Sequence, residues 1–197
     1  MKSIKIILAL CFLSFPVLSQ SRINTELQNK ITLMAIEDQK WRKESENIDN
    51  GKTSAYDKAT IDYNWRKTDS LNLIEAKSII KKYGYPGYDL VGESGSNRFW
   101  TIVQHCDNDV KFQQQVLLLM SKQVKLNNAS GEDFAYLQDR VLLSTNKKQI
   151  YGTQVRYNPT TKTAKPLPVQ DSINVDKRRK AVGLTPLNEY LKIFDRN

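Results

Sequence analysis

The stretch FWTIVQHCDNDVKFQQQVLLLM, Phe99 to Met120, decides the fold class. Phe99, Trp100, Val103 and Cys106 recur three or four residues apart, which sets them on one face of a helix. Asp107, Asn108 and Asp109 then interrupt the pattern. Short polar side chains compete for backbone hydrogen bonds, so three in a row predict a helix end and a new N-cap. Phe112, Val116, Leu119 and Met120 resume a helical stripe, which ends near Asn127-Asn128. The pattern is that of helices packed on helices through single apolar faces.

Upstream, Tyr85 to Gly95 holds Pro86, Gly87, Gly92 and Gly95 and is expected to be a loop, with Ser96 as the N-cap of the next helix. A helix is expected before it, from Tyr56 or Asp62 to Lys82. Leu73, Ala76, Ile80 and Tyr83 form its stripe and Gly84 its stop. An earlier helix spans Gln20 to about Ile48 on Ile23, Leu27, Ile31 and Met34, followed by a polar loop around Asn50-Gly51.

Downstream, Ser130 caps a helix with Glu132 and Asp133 in its first turn, where negative charge suits the helix dipole. Phe134, Leu137 and Val141 are its buried face. Gln149 to Tyr157 alternates in strand fashion, Asn158-Pro159 turns, and Lys162 to Leu167 returns. A short basic helix begins at Asn174 or Asp176 and stops at Gly183. Thr185-Pro186 opens a last helix in the N-cap, N1 arrangement and carries it to about Phe194. The expected class is mainly α (α+β): one compact helical domain with one β-hairpin, about 149–167, in the C-terminal third.

Lys2 and Lys5 precede an uncharged, mainly apolar run from Ile6 to Phe15. That run is short of the about 20 residues a membrane-spanning helix needs. Val17-Leu18-Ser19 fits a cleavage site, so residues 1–19 read as a signal peptide removed on export. Residues 20–58 then form an N-terminal helix and loop, and 59–197 the main helical domain. The product is expected to be soluble, and periplasmic or extracellular. Cys11 leaves with the signal and Cys106 alone remains, which excludes an internal disulfide and a metal–cysteine cluster.

The formal net charge is +9, and 28 basic residues face 21 acidic ones once Lys2 and Lys5 are gone. Excess positive charge favours anionic partners such as envelope polymers and membrane surfaces. Its spread along the chain fits a solvated surface, and no nucleic-acid motif occurs. The one dense cluster is Lys177-Arg178-Arg179-Lys180.

His105 is the only histidine. It could act as a general acid or base, with Asp107 or Glu93 orienting it or supplying a second carboxylate. Equally, a histidine at a helix end is favourable with the dipole alone. Asp107, Asp109 and Glu93 could complete a mixed metal site, but no zinc-type spacing is present, and neither a metal nor a cofactor is assigned. Arg140 is placed at the edge of a buried face and needs a partner, with Asp107, Glu93 or Asp38 as candidates, or else an anion. In Gln149 to Gln154, Gly152 marks a close approach by another backbone or a ligand, either a polar ligand read beside Gln154 or a hairpin packed tightly on a helix through Gly152. On ideal alternation Gly152 and Gln154 share one strand face, opposite Tyr151 and Thr153.

Several segments occur in a familiar order: Tyr83-Gly84-Tyr85-Pro86-Gly87, Leu90-Val91-Gly92-Glu93, Gln104-His105-Cys106-Asp107, Phe112-Gln113, Tyr136 to Leu142, Gln149 to Gln154, Arg178-Arg179 with Gly183-Leu184, and Pro186-Leu187 with Tyr190. Asp38-Gln39 with Arg42, and Asp69 with Asn72, fit the same pattern. Together they resemble a bacterial family of domains of unknown function, number 6624, over nearly the whole chain after the signal. The family pattern carries Trp where this chain has Tyr85 and Ala where it has Cys106, which argues against Cys106 as a nucleophile. The resemblance implies a single domain, in which Gln104, His105, Asp107, Arg140, Tyr151 and Gln154 belong together, and it implies no activity.

Two functions stand. The first, and the favoured one, is an envelope-associated binding or interaction module with a polar cleft at Gln104, His105, Arg140, Tyr151 and Gln154 for an anionic or sugar-containing ligand. The second is a hydrolase using His105 with Asp107 or Glu93, and Arg140 stabilising developing negative charge.

Overall fold

A computed structural model describes residues 23–194. The expected signal peptide lies outside them. Among the described residues there are seven α-helices and one two-stranded hairpin. Helix α1, Thr25–Asp49, starts on Asn24, whose side chain accepts the Leu27 N–H at 3.0 Å. Its buried stripe is Leu27, Ile31, Ala35, Asp38, Trp41 and Ser45. Helix α2, Lys58–Tyr83, starts on Asp57, which accepts the Thr60 N–H at 2.7 Å. Gly84 ends it as expected.

Helix α3, Tyr88–Gln104, departs from the expected loop. Its N-cap is Gly87, nine residues before the expected one at Ser96, and it bends at Gly92, where φ is 71° and the backbone is not helical. Only glycine adopts that geometry without cost, so a residue that reads as a loop signal serves here as a kink within a helical segment. Ser96 is therefore an interior residue and no N-cap. It is buried, with its hydroxyl 3.4 Å from the Tyr85 phenol.

The corner at residues 105–109 forms as expected. Helix α4, Val110–Lys125, starts on Asp109, which accepts the Phe112 N–H at 2.9 Å. Helix α5, Gly131–Ser144, starts on Ser130, which accepts the Asp133 N–H at 3.1 Å. One apolar cluster draws Ile31 from α1, Ile80 from α2, Phe99 and Val103 from α3, Val116 and Met120 from α4, and Leu137 from α5.

The hairpin is shorter than its alternation suggests. Strands β1, Val155–Asn158, and β2, Thr163–Pro166, pair antiparallel, with Asn158 opposite Thr163. Residues 149–154 form no strand; they wrap a buried carboxylate. Asp139 is fully buried and accepts N–H groups from Ile150, at 2.7 Å, Tyr151, at 3.1 Å, and Thr153, at 2.9 Å, together with the Thr153 hydroxyl at 3.0 Å. Donors committed to one carboxylate cannot serve a ladder. Gly152 permits the wrap: its φ is 72°, and a Cβ there would sit 3.1 Å from Leu187. The close approach expected at Gly152 is thus to the chain's own side chain, and the shared face with Gln154 does not exist.

A 3-10 turn, Ser172–Asn174, leads into helix α6, Val175–Ala181. Helix α7, Leu187–Lys192, begins one residue later than expected. Pro186 is extended and Asp176 accepts the Leu187 N–H at 2.8 Å, so the cap comes from another helix and Thr185 does not cap.

Replacing Asp139 by Ala leaves three buried N–H groups without their acceptor and is expected to cost about 3 kcal/mol or more. Urea unfolding measures it. A loss below about 1 kcal/mol would show that the loop finds other acceptors.

Candidate functional site

The C-terminus of α3 places His105 against α1. His105 is the C-cap, and its Nδ1 lies 2.9 and 3.1 Å from the two carboxylate oxygens of Asp38. Asp38 is 2% exposed and occupies a position in the buried stripe of α1. Burial alone would raise its pKa, but the hydrogen bonds from His105 and Arg42 outweigh it and hold the carboxyl below its ordinary range. An ionised carboxylate only accepts, so Nδ1 carries the proton and Nε2 is the working nitrogen. The His105 side chain is 17% exposed, and Nε2 has no hydrogen-bond partner among the described residues.

Arg42 lies one turn after Asp38 and bridges two carboxylates. Its Nη2 is 3.1 Å from Asp38 and 2.7 Å from Asp69 on α2. The Trp65 indole N–H donates to Asp69 at 3.0 Å, and the Arg42 guanidinium sits 4.6 Å from the centre of the Trp65 ring. Asp69 is shifted the other way from Asp38. Burial raises it, and the charge of Arg42 only partly offsets this. Asp38, Arg42, Asp69 and His105 therefore form one network across α1, α2 and the end of α3.

Asp107 faces away from that network. It accepts from Arg140 Nη1 at 3.0 Å and from Gln113 at 3.2 Å. The buried Gln113 amide also donates to the carbonyls of Val103 and Gln104, at 3.2 and 3.3 Å, and closes the end of α3. Of the three partners expected for Arg140, the structure provides Asp107. His105 pairs with neither carboxylate expected for it. Asp107 is engaged by α5, and Glu93 lies twelve residues back along α3, about 18 Å away at helical rise.

Glu93 instead lines a cavity of about 640 Å³ with Tyr88, Asn97, Glu132 and Asp133. Tyr151 and Gln154 are held through their backbones. The Tyr151 N–H meets Asp139 and its carbonyl accepts from Arg179 at 2.8 Å. Burial pushes the Tyr151 phenol above its ordinary range. Gln149 clasps Gln154, donating to its carbonyl at 2.9 Å and accepting its N–H at 3.0 Å. Arg179 is fully buried, donates to the Thr185 carbonyl at 2.6 Å and lies over the Tyr190 ring.

Gln104, His105 and the Asp107 held by Arg140 are near neighbours in sequence at the end of α3, but His105 turns to α1 and Asp107 to α5. Five cavities among the described residues are lined by other residues, and Gln154 is tied to Gln149 through its backbone. Cys106 is buried, with its thiol pushed up to about 12, which removes it as a nucleophile. Among the described residues no group of three or more His, Cys, Asp or Glu side chains is placed to hold a metal ion.

Comparison with protein families places these networks in context. The model of a family of unknown function, DUF6624, matches residues 25–197. The chain belongs to this family. Every residue of the Asp38 and Asp139 networks falls within the DUF6624 match. No curated protein and no solved structure matches the chain.

Sequence reasoning centred on His105 and missed what anchors it. Asp38 follows Ile31 by seven residues, so the helical register that buries Ile31 also buries Asp38. A carboxylate on an apolar stripe was the available signal.

The Glu93 cavity yields a pH effect. Burial pushes the Asp133 carboxyl up to about 6, against a hydrogen bond from Asn97 and with the Glu132 charge adding. The folded chain then holds the Asp133 proton more tightly than the unfolded chain between about pH 4 and 6. Stability from this group therefore falls as pH rises through that window. Asp133→Asn is expected to melt higher than the unsubstituted chain at pH 7 and level with it near pH 4. Equal melting at both pH values would contradict the assignment.

Proposed function

We propose that this chain is an exported, envelope-associated binding module, holding an anionic or sugar-containing ligand on the surface where α3 meets α4. The observation that carries the reading is His105. Its Nδ1 is fixed by a buried carboxylate, which leaves Nε2 partly exposed and free to meet a ligand. Arg140 stands at the same corner and commits only Nη1 to Asp107. Its Nε is buried without a partner, which leaves Nη2 as the donor a ligand could reach. That donor and an oriented imidazole suit a carboxylate, a sulfate or a sugar hydroxyl. Export rests on the N-terminal sequence pattern, and the positive charge favours an anionic partner.

A second reading has its own observation. Imidazole with Nδ1 on a buried aspartate and Nε2 open is the arrangement of a general base. If the chain is a hydrolase, Asp38 orients His105, in place of Asp107 or Glu93, and water is the nucleophile.

The single histidine makes the test direct. Glucuronate, which carries both a carboxylate and sugar hydroxyls, is titrated against the chain while the His105 ring resonances are followed by NMR. The binding reading expects a saturable shift that Arg140→Gln weakens by about tenfold, the loss of one charged hydrogen bond. Resonances that ignore glucuronate, and ignore sulfate as well, would overturn it. The hydrolase reading expects turnover of model esters or glycosides to fall 100-fold or more, roughly, in His105→Gln. A chain without turnover would remove that reading.

A further inference from the structure

A second surface, remote from His105, is built differently. The face of α2 opposite its buried stripe carries Tyr63, Lys67, Leu71 and Ile74, at i, i+4, i+8 and i+11. That spacing aligns them in one row about 16 Å long. Tyr63, Leu71 and Ile74 are 65, 54 and 63% exposed. Together with Ala59 and Arg66, Tyr63 and Leu71 border an open groove of about 680 Å³ along the helix. Single exposed apolar residues are ordinary, but a row of large ones on one helix face marks an interaction surface.

The charges of α2 decide the partner. Its three acidic residues are all engaged: Asp62 with Lys58, Asp69 with Arg42, and Glu75 with Lys30. Arg66 and Lys67 have no acidic partner among the described residues, and Lys67 leans over the Tyr63 ring at 5.9 Å. The row is therefore apolar and cationic, with an amphipathic tyrosine at one end. A second copy of the chain on the same face would set Arg66 and Lys67 against their own equivalents, because a two-fold interface is self-facing. An acidic interface with an apolar layer beneath it satisfies both features.

We propose that this face of α2 docks the protein on an anionic lipid membrane, as a peripheral contact. Leu71 and Ile74 enter the boundary between headgroups and acyl chains, Tyr63 sits at headgroup level, and Arg66 and Lys67 meet lipid phosphates. No described helix is long and apolar enough to cross a membrane. The contact is shallow, reversible and weakened by salt.

Vesicle flotation tests it. The chain starting at Gln20 is used, which keeps every described residue and omits the apolar run Ile6 to Phe15. It is mixed with vesicles of phosphatidylcholine alone or with added phosphatidylglycerol. Flotation is expected with the anionic vesicles only, and is expected to fall as salt rises. Arg66→Gln with Lys67→Gln should weaken it by tenfold or more, roughly, and Leu71→Ser with Ile74→Ser should also release the chain. Arg66→Lys should retain flotation. Unchanged thermal melts would show that the folded state is intact in each variant. Flotation that ignores lipid charge, that survives both double substitutions, or that never occurs would overturn the proposal. So would a dimer in light scattering that Leu71→Ser with Ile74→Ser dissolves, since the face would then belong to a second copy.

Discussion

A carboxylate taken out of water must be met by donors, and this fold is arranged around two of them. Asp38 and Asp139 are both essentially inaccessible to solvent. Left unpaired, either would cost several kcal/mol or be driven to take up a proton. Each therefore dictates the position of other parts. Asp38 draws in the end of α3 through His105 and the neighbouring turn of α1 through Arg42. Asp139 fixes the path of residues 150–153, and that path sets where Arg179 and Tyr190 find their acceptors.

The two networks are joined by very little backbone. His105 and Asp107 are two residues apart, and they reach α1 and α5 respectively. Arg140, which holds Asp107, is next to Asp139. From α1 to α6 the two sets of polar contacts are linked through adjacent backbone: Asp38 with His105, Asp107 with Arg140, and Asp139 with Tyr151, whose carbonyl meets Arg179. The tight turn between α3 and α4 is what makes this possible. A longer loop would let the two side chains part, and a continuous helix would change the angle between them.

The helical framework was legible because its signals are local. Ser130 and Asp109 cap where short polar residues precede apolar periodicity, and Gly84 stops α2 as a glycine past a helix end should. The errors came where a distant group overrides a local signal. Gln149 to Gln154 alternates like a strand, but Asp139, more than ten residues earlier, claims its N–H groups. Leu187 takes its cap from Asp176 instead of Thr185. Gly92 reads as a loop residue and serves as a kink. The site was half legible. His105 stood out as the only histidine, and Arg140 as a charge at the edge of a buried face. Their partners depend on which helices meet, and no spacing within one helix encodes that.

The Asp38 network is larger than capping requires. A histidine at the end of α3 would be favoured by the helix dipole with no partner at all. Ion pairs that are largely buried recover little net stability, because desolvation consumes most of the attraction, and an apolar replacement is often as good. Arg42 alone would also neutralise Asp38. Stability is thus a poor account of why a buried carboxylate is aimed at the imidazole. Orientation is a better one. With Nδ1 held by Asp38, the ring has a set orientation, and Nε2 is the nitrogen without a partner among the described residues. Binding a ligand and moving a proton both need that fixed nitrogen.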